Sequence, residues 1–484
     1  MQGLKVLFAT SEVAPLIKTG GLADVSGALP AALRAIGVDV RVLVPGYRQV
    51  MAQLQQHQVV AVFSDLPGFP PAKLLSATMA HDVPILVLDC PPLYQRDGGP
   101  YQDTTGYDWG DNAIRFGLLS KVAALLGSQA TPLAWHPHIV HCNDWQTGLA
   151  PAYLQFLPGA VPSVITIHNL AFQGNFPPAT VEQLGLPASC YSIEGVEYYG
   201  NLSFLKAGLY YADHITTVSP NYASEIQGEE LGFGMQGLLA SRSGHLTGIL
   251  NGIDNDEWNP AADPHLASPY SADDMTGKSL NKAALQRELG LEVKPNVPLL
   301  GLVGRMTHQK GLDLLLEIAP RLIGLPAQLA LLGSGDATMQ NTARELARYY
   351  PDSFGAVIGF SETLSHRIEA GADMFIMPSR FEPCGLNQFY SQRYGTPPIV
   401  HATGGLVDSV IDCTPATLAD GSASGFLFKG MTSENLYGTI KRAVSLYHDK
   451  RQWDRLRRNC MQKQLGWQHS AESYRAVYLK VLGR

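Results

Sequence analysis

Charged residues are scarce in this chain of 484 residues, at 16% of the sequence against a usual share of about 25%. Basic residues are the scarcer kind, with 35 Lys and Arg against 42 Asp and Glu and a formal net charge of -7. Because nucleic acids and anionic membrane surfaces attract basic proteins, this balance argues against a general binder of either. Any anionic ligand must therefore be bound by a few basic residues placed locally at its site.

Cysteine is also rare, and the 6 cysteines lie far apart with no Cys-x-x-Cys pair. Their spacing indicates neither a zinc ribbon nor a disulfide framework. Long apolar segments are missing too, since no apolar run reaches the roughly 18 residues of a membrane helix. The chain enters a strand-like stretch at residues 6–9 without a signal-peptide pattern, so we expect a soluble cytoplasmic protein.

What the chain has in quantity is hydrophobic residues, at 45%, set in short apolar runs that alternate with longer amphipathic segments. Buried parallel strands joined by crossover helices have this pattern. Helices are expected over residues 23–36 and 111–126. The predicted strands cover residues 6–9, 40–44, 85–88, 139–140, 164–167 and 215–218, and then 299–303, 329–332, 357–358, 374–377 and 399–400.

A polar stretch up to about residue 296 separates the two sets of strands, with one helix expected near residues 282–289. The fold class is therefore α/β, with two Rossmann-like doubly wound domains. We place the first at residues 1–247 and the second at 248–465, and apolar spacing near the end predicts a closing helix within 466–484. Two such domains are expected to face a deep cleft that holds the ligand.

Glycine is abundant, with 48 residues, and one glycine pair recurs. The sequence Thr-Gly-Gly-Leu-x-Asp stands at residues 19–24 and again at 403–408, each time where a helix is expected to begin. Free N–H groups at a helix start attract anions, and the helix dipole adds to the attraction. We therefore expect the bare amides of both glycine pairs to bind an anion.

Two nucleotide-binding motifs are present only in part. The Gly-x-Gly-x-x-Gly stretch at residues 232–237 follows polar residues rather than a strand, so we interpret it as a loop. Residues 304–310 resemble a phosphate loop but lack its second glycine and its hydroxyl for Mg²⁺. What remains is Arg305 and Lys310 after a buried strand, which suit a diphosphate; two surface cations on a loop are the alternative.

Histidines and acids that could hold a metal are scattered. The histidines at positions 136, 138 and 141 are interrupted by Pro137 and are interpreted as strand-end side chains, while Asp254 and Asp256 have no further ligand nearby in sequence. We predict a site that needs neither metal nor cofactor. Other polar residues do follow buried strands, at positions 141–145, 168–169 and 382–386, which is the functional edge of such a sheet.

Seven stretches resemble, in order and spacing, motifs of the bacterial glycogen synthase and plant starch synthase family, glycosyltransferase family 5. The Lys-x-Gly-Gly and Glu-Pro-Cys-Gly-Leu stretches are each specific, and the resemblance spans nearly the whole chain. The matching stretches are residues 18–24, 141–145, 168–169, 251–254, 304–311, 382–386 and 403–406.

The resemblance implies the two-domain GT-B architecture, with the C-terminal helix packed back on the first domain. It implies transfer of glucose from ADP-glucose to the non-reducing 4-hydroxyl of an α-1,4-glucan, with retention at the anomeric carbon. Its partners would be ADP-glucose and glycogen or a maltooligosaccharide, with no nucleic acid and no membrane. The alternatives are a UDP-sugar-dependent GT-B transferase and a catalytically silent protein that binds glucan or nucleotide sugar.

Site residues follow from the resemblance position by position. The cations would neutralise the leaving diphosphate, His168, Asn251 and Glu382 would hold the donor glucose, and an aromatic after Gly359 would meet adenine. The implied catalytic residues are Lys18, Asp144, His168, Arg305, Lys310 and Glu382. The implied substrate-binding residues are Gly20, Gly21, Tyr101, Trp145, Asn169, Asn251, Gly304, Phe360, Cys384, Gly385, Leu386, Thr403, Gly404 and Gly405.

Many retaining relatives carry a second glutamate seven residues beyond the first, and Tyr390 stands at that second place here. Only Glu382 and Asp144 are therefore considered as nucleophiles. We favour front-side attack, in which the leaving phosphate takes the proton of the acceptor, over a covalent intermediate on either acid.

Overall fold

The computed structural model describes residues 3–483 and divides the chain into two compact units. The first unit consists of Met1–Asn251 together with Trp467–Arg484, and the second is Gly252–Gly466. Within the described residues, no helix has both the length and the apolar character needed to cross a membrane.

The strands lie mostly where the apolar runs predict them. They are β1 (Lys5–Ala9), β2 (Asp39–Pro45), β3 (Gln58–Phe63), β4 (Ala72–Thr78), β5 (Pro84–Asp89), β6 (Ile139–Asn143), β7 (Ser163–Ile167), β8 (Asn175–Phe176), β9 (Glu197–Tyr198), β10 (Asn201–Ser203), β11 (His214–Thr217), β12 (Leu246–Gly248), β13 (Leu299–Val303), β14 (Gln328–Gly333), β15 (Phe354–Ile358), β16 (Met374–Met377), β17 (Pro398–His401) and β18 (Phe426–Phe428).

The helices connect these strands. They are α1 (Gly21–Ala35), α2 (Arg48–Gln53), α3 (Pro91–Tyr94), α4 (Asn112–Leu126), α5 (Leu149–Gln155), α6 (Thr180–Gln183), α7 (Phe204–Tyr211), α8 (Pro220–Glu225), α9 (Gln236–Ser241), α10 (Thr276–Glu288), α11 (Leu312–Ile323), α12 (Ala337–Tyr349), α13 (Glu362–Gly371), α14 (Asn387–Arg393), α15 (Gly404–Ser409), α16 (Pro415–Asp420), α17 (Ser433–Tyr447), α18 (Lys450–Gln462) and α19 (Gln468–Val481).

The first unit contains a nine-stranded sheet in the order β12-β11-β7-β6-β1-β2-β5-β4-β3. Seven of these strands are parallel, while β4 runs antiparallel to both of its neighbours. The central strand β1 is buried along Val6–Ala9, as expected for a strand covered by helices on both faces. The strand order reverses between β1 and β6, which marks the place where open α/β sheets bind ligands.

The second unit contains a six-stranded parallel sheet in the order β15-β14-β13-β16-β17-β18. Read in chain order this is 3-2-1-4-5-6, the order of the dinucleotide-binding Rossmann sheet, and it reverses between β13 and β16. Apolar side chains pack on both faces of the sheet, with one cluster that includes Leu300 and Trp453 and another that includes Leu299 and Phe375. The loops after β13 and β16 therefore emerge side by side at its carboxyl edge.

The last helix, α19, packs within the first unit. Its Tyr478 hydroxyl lies 2.7 Å from His141 Nδ1, and the other ring nitrogen of His141 lies 2.6 Å from Thr166 Oγ1. The Ser470 hydroxyl donates to the Leu250 carbonyl oxygen at 2.6 Å. His141 thus serves as a buried polar link between the sheet and α19, in line with its interpretation as a strand-end histidine.

The predicted loop at residues 232–237 is confirmed over residues 232–235, whereas Gln236 and Gly237 already belong to α9. Gly232 and Gly234 lie in turns that precede α9, and no strand leads into them. Gly234 has a φ of 81°, and a Cβ there would lie 2.3 Å from the Tyr198 hydroxyl. These glycines therefore allow a tight turn and a close approach rather than the dinucleotide site that the same spacing can indicate.

Candidate functional site

Polar side chains cluster at the strand reversal of the first unit. Asn143 ends β6 and donates through Nδ2 to the Ala9 carbonyl oxygen at 3.0 Å, which ties β6 to β1. Its Oδ1 lies 2.9 Å from His168 Nε2, beyond the end of β7. Burial holds the pKa of His168 below its usual value, so the ring is neutral at pH 7 and donates through Nε2. The ring is therefore held in one tautomer and one orientation.

Asp144 occupies a strained position directly after β6. Its φ is 53°, a value that residues other than glycine rarely adopt. The carboxylate accepts from the backbone N–H of His168 at 2.7 Å and from that of Asn169 at 3.4 Å. Burial nevertheless raises the pKa of Asp144 to about 7, because desolvation of the charge outweighs these hydrogen bonds. The group consequently ionises near neutral pH.

This pKa predicts a pH dependence that Asp144→Asn should remove. An unfolded aspartate titrates near 3.8, so between that pH and about 7 the folded chain binds one proton more than the unfolded chain. Raising the pH through this window therefore destabilises the wild type but not the variant. The thermal midpoint of the variant minus that of the wild type should therefore be larger at pH 8 than at pH 6, by roughly 2–3 °C. Calorimetry at both pH values measures this, and a constant difference would contradict it.

Trp145 lies in an aromatic cluster rather than in open solvent. Its ring centroid is 4.9 Å from that of Phe116, 6.0 Å from Phe176 and 6.2 Å from Phe204. The backbone of Gly174 closes on the indole so tightly that a Cβ there would lie 2.3 Å from the ring. Packed protein thus fixes the orientation of Trp145, and only part of its surface is available to a ligand.

The loop that carries Lys18 is anchored by an acid that the sequence analysis did not select. Glu12 accepts from the backbone N–H groups of Thr19 at 2.5 Å and Gly20 at 3.3 Å, and also from the Tyr101 hydroxyl. Lys18 itself pairs with Asp24 at 2.8 Å. The expectation that the Gly20 amide is bare is therefore wrong, because Glu12 occupies it. The available signal was the position of Glu12 just beyond the end of β1.

The second unit pairs two of the predicted catalytic residues. Lys310 Nζ lies 2.5 Å from Glu382 Oε2, and the Ser379 hydroxyl donates to the same oxygen at 2.9 Å. Glu382 is 6% exposed, whereas the side chain of Lys310 is 27% exposed. The ammonium group thus keeps access to solvent while the carboxylate fixes its position. Arg305, exposed on the same loop after β13, has no ion-pair partner among residues 3–483.

The second glycine pair supports Glu382 by close packing. Gly404 has a φ of 46°, and a Cβ there would lie 1.9 Å from the Glu382 carbonyl oxygen. The Gly405 N–H donates to the carbonyl oxygens of Glu382 and Pro383, both at 3.1 Å. The expectation of a bare amide is therefore wrong for Gly405 as well. The pair begins α15 as predicted, and it lets α15 touch the backbone that positions Glu382.

The remaining residues of the second unit lie around the same edge of the sheet. Phe360 follows β15 and is 79% exposed, so its ring is open to a planar ligand. The Gly304 N–H bonds to the Leu332 carbonyl oxygen at 3.0 Å and serves the sheet. Gly385 has a φ of 74° in the turn before α14, and the backbone of Cys384 lies against Gly405 of α15. Leu386 and Thr403 directly precede α14 and α15.

Asn251 is the last residue of the first unit and carries an unsatisfied acceptor. The residue is buried, yet its Oδ1 has no hydrogen-bond partner among the described residues. Buried polar atoms are nearly always hydrogen-bonded, so an orphan atom indicates a missing donor. A hydroxyl of a bound ligand is one group that could supply it.

Tyr390, at the place of the second glutamate of many relatives, has a packing role here. Its ring stacks on Trp258 with centroids 3.6 Å apart, and Trp258 stacks in turn on His366 at 3.9 Å. Tyrosine at this position therefore extends a buried aromatic stack and offers no carboxylate to the site.

The described chain brings together one group of possible metal ligands, made of residues that the sequence analysis did not select. Glu257, Glu362 and His366 bring three ligand atoms within 4.8 Å of one another. His366 Nε2 and Glu362 Oε1 are 3.9 Å apart, while Asp263 lies 2.7 Å from the other ring nitrogen. Three ligands are fewer than a structural zinc site uses. The group touches none of the predicted site residues through these contacts.

Known glycogen and starch synthases are similar to this chain along nearly its whole length. A family model described as starch synthase catalytic domain matches residues 5–241, and one described as glycosyl transferases group 1 matches residues 286–459. The chain is 58% identical to a glycogen synthase from Nitrosospira multiformis, over 99% of this chain and 98% of that protein. A glycogen synthase from Nitrosomonas eutropha is 59% identical over 99% of this chain and 96% of its own length.

Solved structures agree with this placement. The catalytic domain of starch synthase IV from Arabidopsis thaliana, bound to ADP and acarbose, superposes with a TM-score of 0.88 at 30% identity over 100% of both chains. A sucrose-phosphate synthase from Thermosynechococcus elongatus shares the fold, with a TM-score of 0.59 at 17% identity over 99% of each chain. The predicted two-domain GT-B architecture is confirmed.

Proposed function

The chain belongs to the glycogen synthase and starch synthase family of glucosyltransferases, and on that premise we propose that it transfers glucose from ADP-glucose to the non-reducing 4-hydroxyl of an α-1,4-glucan. The observation that supports the proposed donor site is the Lys310–Glu382 pair at the strand reversal of the second unit, with Arg305 on the same loop as Lys310. The ADP in the Arabidopsis starch synthase favours an adenine nucleotide over the UDP alternative.

The cations act on the leaving group. When the bond between the anomeric carbon and the phosphate oxygen breaks, negative charge develops on the diphosphate and positive charge on the sugar. Arg305 and Lys310 stabilise the diphosphate, and Lys18 of the first unit and the Gly21 amide add to that field. The amides of Gly20 and Gly405 already have partners, and Gly404 and Gly405 instead let α15 pack closely on the segment that carries Glu382.

The other groups position the two sugars and the base. Glu382 and His168 hold the donor glucose, and the unpaired Oδ1 of Asn251 accepts from one of its hydroxyls. Asp144, Trp145, Asn169 and Tyr101 shape the acceptor side, so the first unit binds the glucan and the second binds the nucleotide sugar. The exposed ring of Phe360 stacks on adenine. Gly304, Cys384, Gly385, Leu386 and Thr403 line the donor side.

Retention proceeds by front-side attack. The acceptor oxygen forms the new bond to the anomeric carbon on the face that the phosphate leaves, and its proton passes to the departing phosphate oxygen. Glu382 Oε2 is engaged by the Lys310 ammonium and by the Ser379 hydroxyl, and these two bonds lower the nucleophilicity of that oxygen. Capture of a glycosyl adduct on Glu382 or Asp144 by mass spectrometry would overturn this route.

The donor assignment is tested by incubating the purified chain with glycogen and either ADP-glucose or UDP-glucose. We expect ADP release and chain extension with ADP-glucose, at a rate at least tenfold above that with UDP-glucose, because the Phe360 ring stacks better on a purine. A metal chelator should leave the rate unchanged. Equal or faster turnover of UDP-glucose would reject the donor, and glucan binding without any turnover would indicate the silent alternative.

A further inference from the structure

Glu12 lies in the connection between β1 and α1 and is 3% exposed. Its carboxylate accepts hydrogen bonds from two different parts of the first unit. Oε2 accepts from the backbone N–H groups of Thr19 and Gly20, while Oε1 accepts from the Thr19 hydroxyl at 2.6 Å and from the Tyr101 hydroxyl. One side chain thus joins the start of α1 to the loop that bears Tyr101.

All of these partners are neutral donors. Within residues 3–483, no lysine or arginine forms an ion pair with Glu12, so hydrogen bonds alone compensate its burial. Tyr101 is held from a second side, since its hydroxyl lies 2.8 Å from Ser11 Oγ. Glutamine in this place would weaken these bonds, because a neutral amide oxygen is a poorer acceptor than a carboxylate and both hydroxyls would have to turn and accept from its NH₂ group.

The bonded residues are the immediate neighbours of Lys18. Thr19 follows Lys18 directly, and α1 begins one residue after Gly20. Lys18 itself is partly exposed and pairs with Asp24 in the first turn of that helix. The backbone next to Lys18 is thus pinned by Glu12, and its side chain is directed by Asp24.

We propose that Glu12 is a positioning residue that holds the Lys18 loop and Tyr101 in register with each other, so that the cation is in place before the donor binds. This inference rests on the proposed role of Lys18 at the diphosphate. It gives the amides of Thr19 and Gly20 a different role from anion binding: they bind an internal carboxylate. A displacement of about 1 Å at a reacting group commonly costs up to about a hundredfold in rate.

The first test is Glu12→Gln, which keeps the shape of the side chain. We expect turnover with saturating ADP-glucose and glycogen to fall roughly tenfold to a hundredfold. The matched control is Asp39→Asn. Asp39 begins β2 at the amino end of a strand in the same sheet, and its carboxylate accepts from Trp135 Nε1 at 2.8 Å. That control should retain wild-type turnover. A Glu12→Gln rate within twofold of wild type would overturn the proposal.

A double-mutant cycle separates positioning from general destabilisation. If Glu12 acts through Lys18, adding Glu12→Gln to Lys18→Ala should lower the rate by less than twofold further. If Glu12 only stabilises the fold, the two losses should multiply, which would contradict the proposal.

A measurement that does not depend on activity completes the test. Hydrogen exchange of a peptide covering residues 13–24 should speed up in Glu12→Gln, while peptides from α4 and β6 keep their wild-type protection. Unchanged exchange in residues 13–24 would reject the anchoring role. Absence of turnover in the wild type would instead reject the proposed function, and the exchange result would still decide whether Glu12 anchors the loop.

Discussion

Lys310→Ala should lower turnover by about 10²–10³ while leaving the fold intact. The Lys310 ammonium lies 2.5 Å from the Glu382 carboxylate at the strand reversal of the second unit, and the Ser379 hydroxyl donates to the same carboxylate oxygen. Its removal takes away a fixed positive charge where the leaving diphosphate gains negative charge. Steady-state rates of ADP release with saturating ADP-glucose and glycogen measure the loss, and circular dichroism confirms that the variant is folded.

The matched control for this variant is Lys294→Ala. Lys294 also pairs with a glutamate, Glu292, at 2.6 Å, but both side chains are well exposed. Exposed pairs contribute only about 0–1 kcal/mol, so this variant should match the wild type in rate and in thermal midpoint. Near-normal turnover of Lys310→Ala would refute its assignment to the diphosphate. An equal loss in both variants would show that the effect is not specific to the site.

Gly404→Ala should destabilise the second unit and inactivate the site together. The backbone there has a φ of 46°, and the new Cβ would lie 1.9 Å from the Glu382 carbonyl oxygen. The strained φ alone costs about 1–2 kcal/mol, and relief of the clash must move the segment that carries Glu382. We expect the thermal midpoint to fall by roughly 5 °C and turnover by at least about tenfold.

Gly438→Ala is the control for this substitution. Gly438 lies inside α17, and a Cβ there meets nothing within 4 Å. Because alanine favours a helix over glycine by about 0.5–1 kcal/mol, this variant should be slightly more stable than the wild type and fully active. A Gly404→Ala variant that melts and turns over like the wild type would show that α15 does not hold Glu382 in place.

Apolar runs located the parallel strands other than the short edge strands β12 and β18, because a strand covered on both faces must be apolar throughout. The antiparallel pair β3 and β4 was missed for the opposite reason. Residues of β3 lie at the edge of the sheet, half exposed, and Val59 and Val62 point into solvent. A strand that has one solvent-exposed face and no short hairpin turn beside it is difficult to recognise from its sequence pattern.

The glycine pairs show where reasoning from the sequence stops. Each pair begins a helix, as its position after a strand predicts, and Gly404 does require a backbone that other residues avoid. Whether an amide is free depends on which groups fold against it from elsewhere in the chain. The Gly20 amide donates to the Glu12 carboxylate, and the Gly405 amide donates to the Glu382 carbonyl oxygen.

Local patterns of the chain were sufficient to predict two α/β halves, the strand ends where polar residues gather, and the scarce cations at positions 18, 305 and 310. These features depend on burial and on residue order, which the amino-acid sequence carries directly. The partners of those groups are a different matter. Lys310 with Glu382 and Glu12 with Tyr101 join residues 72 and 89 positions apart, and distances of that kind are settled when separate strands assemble into one sheet.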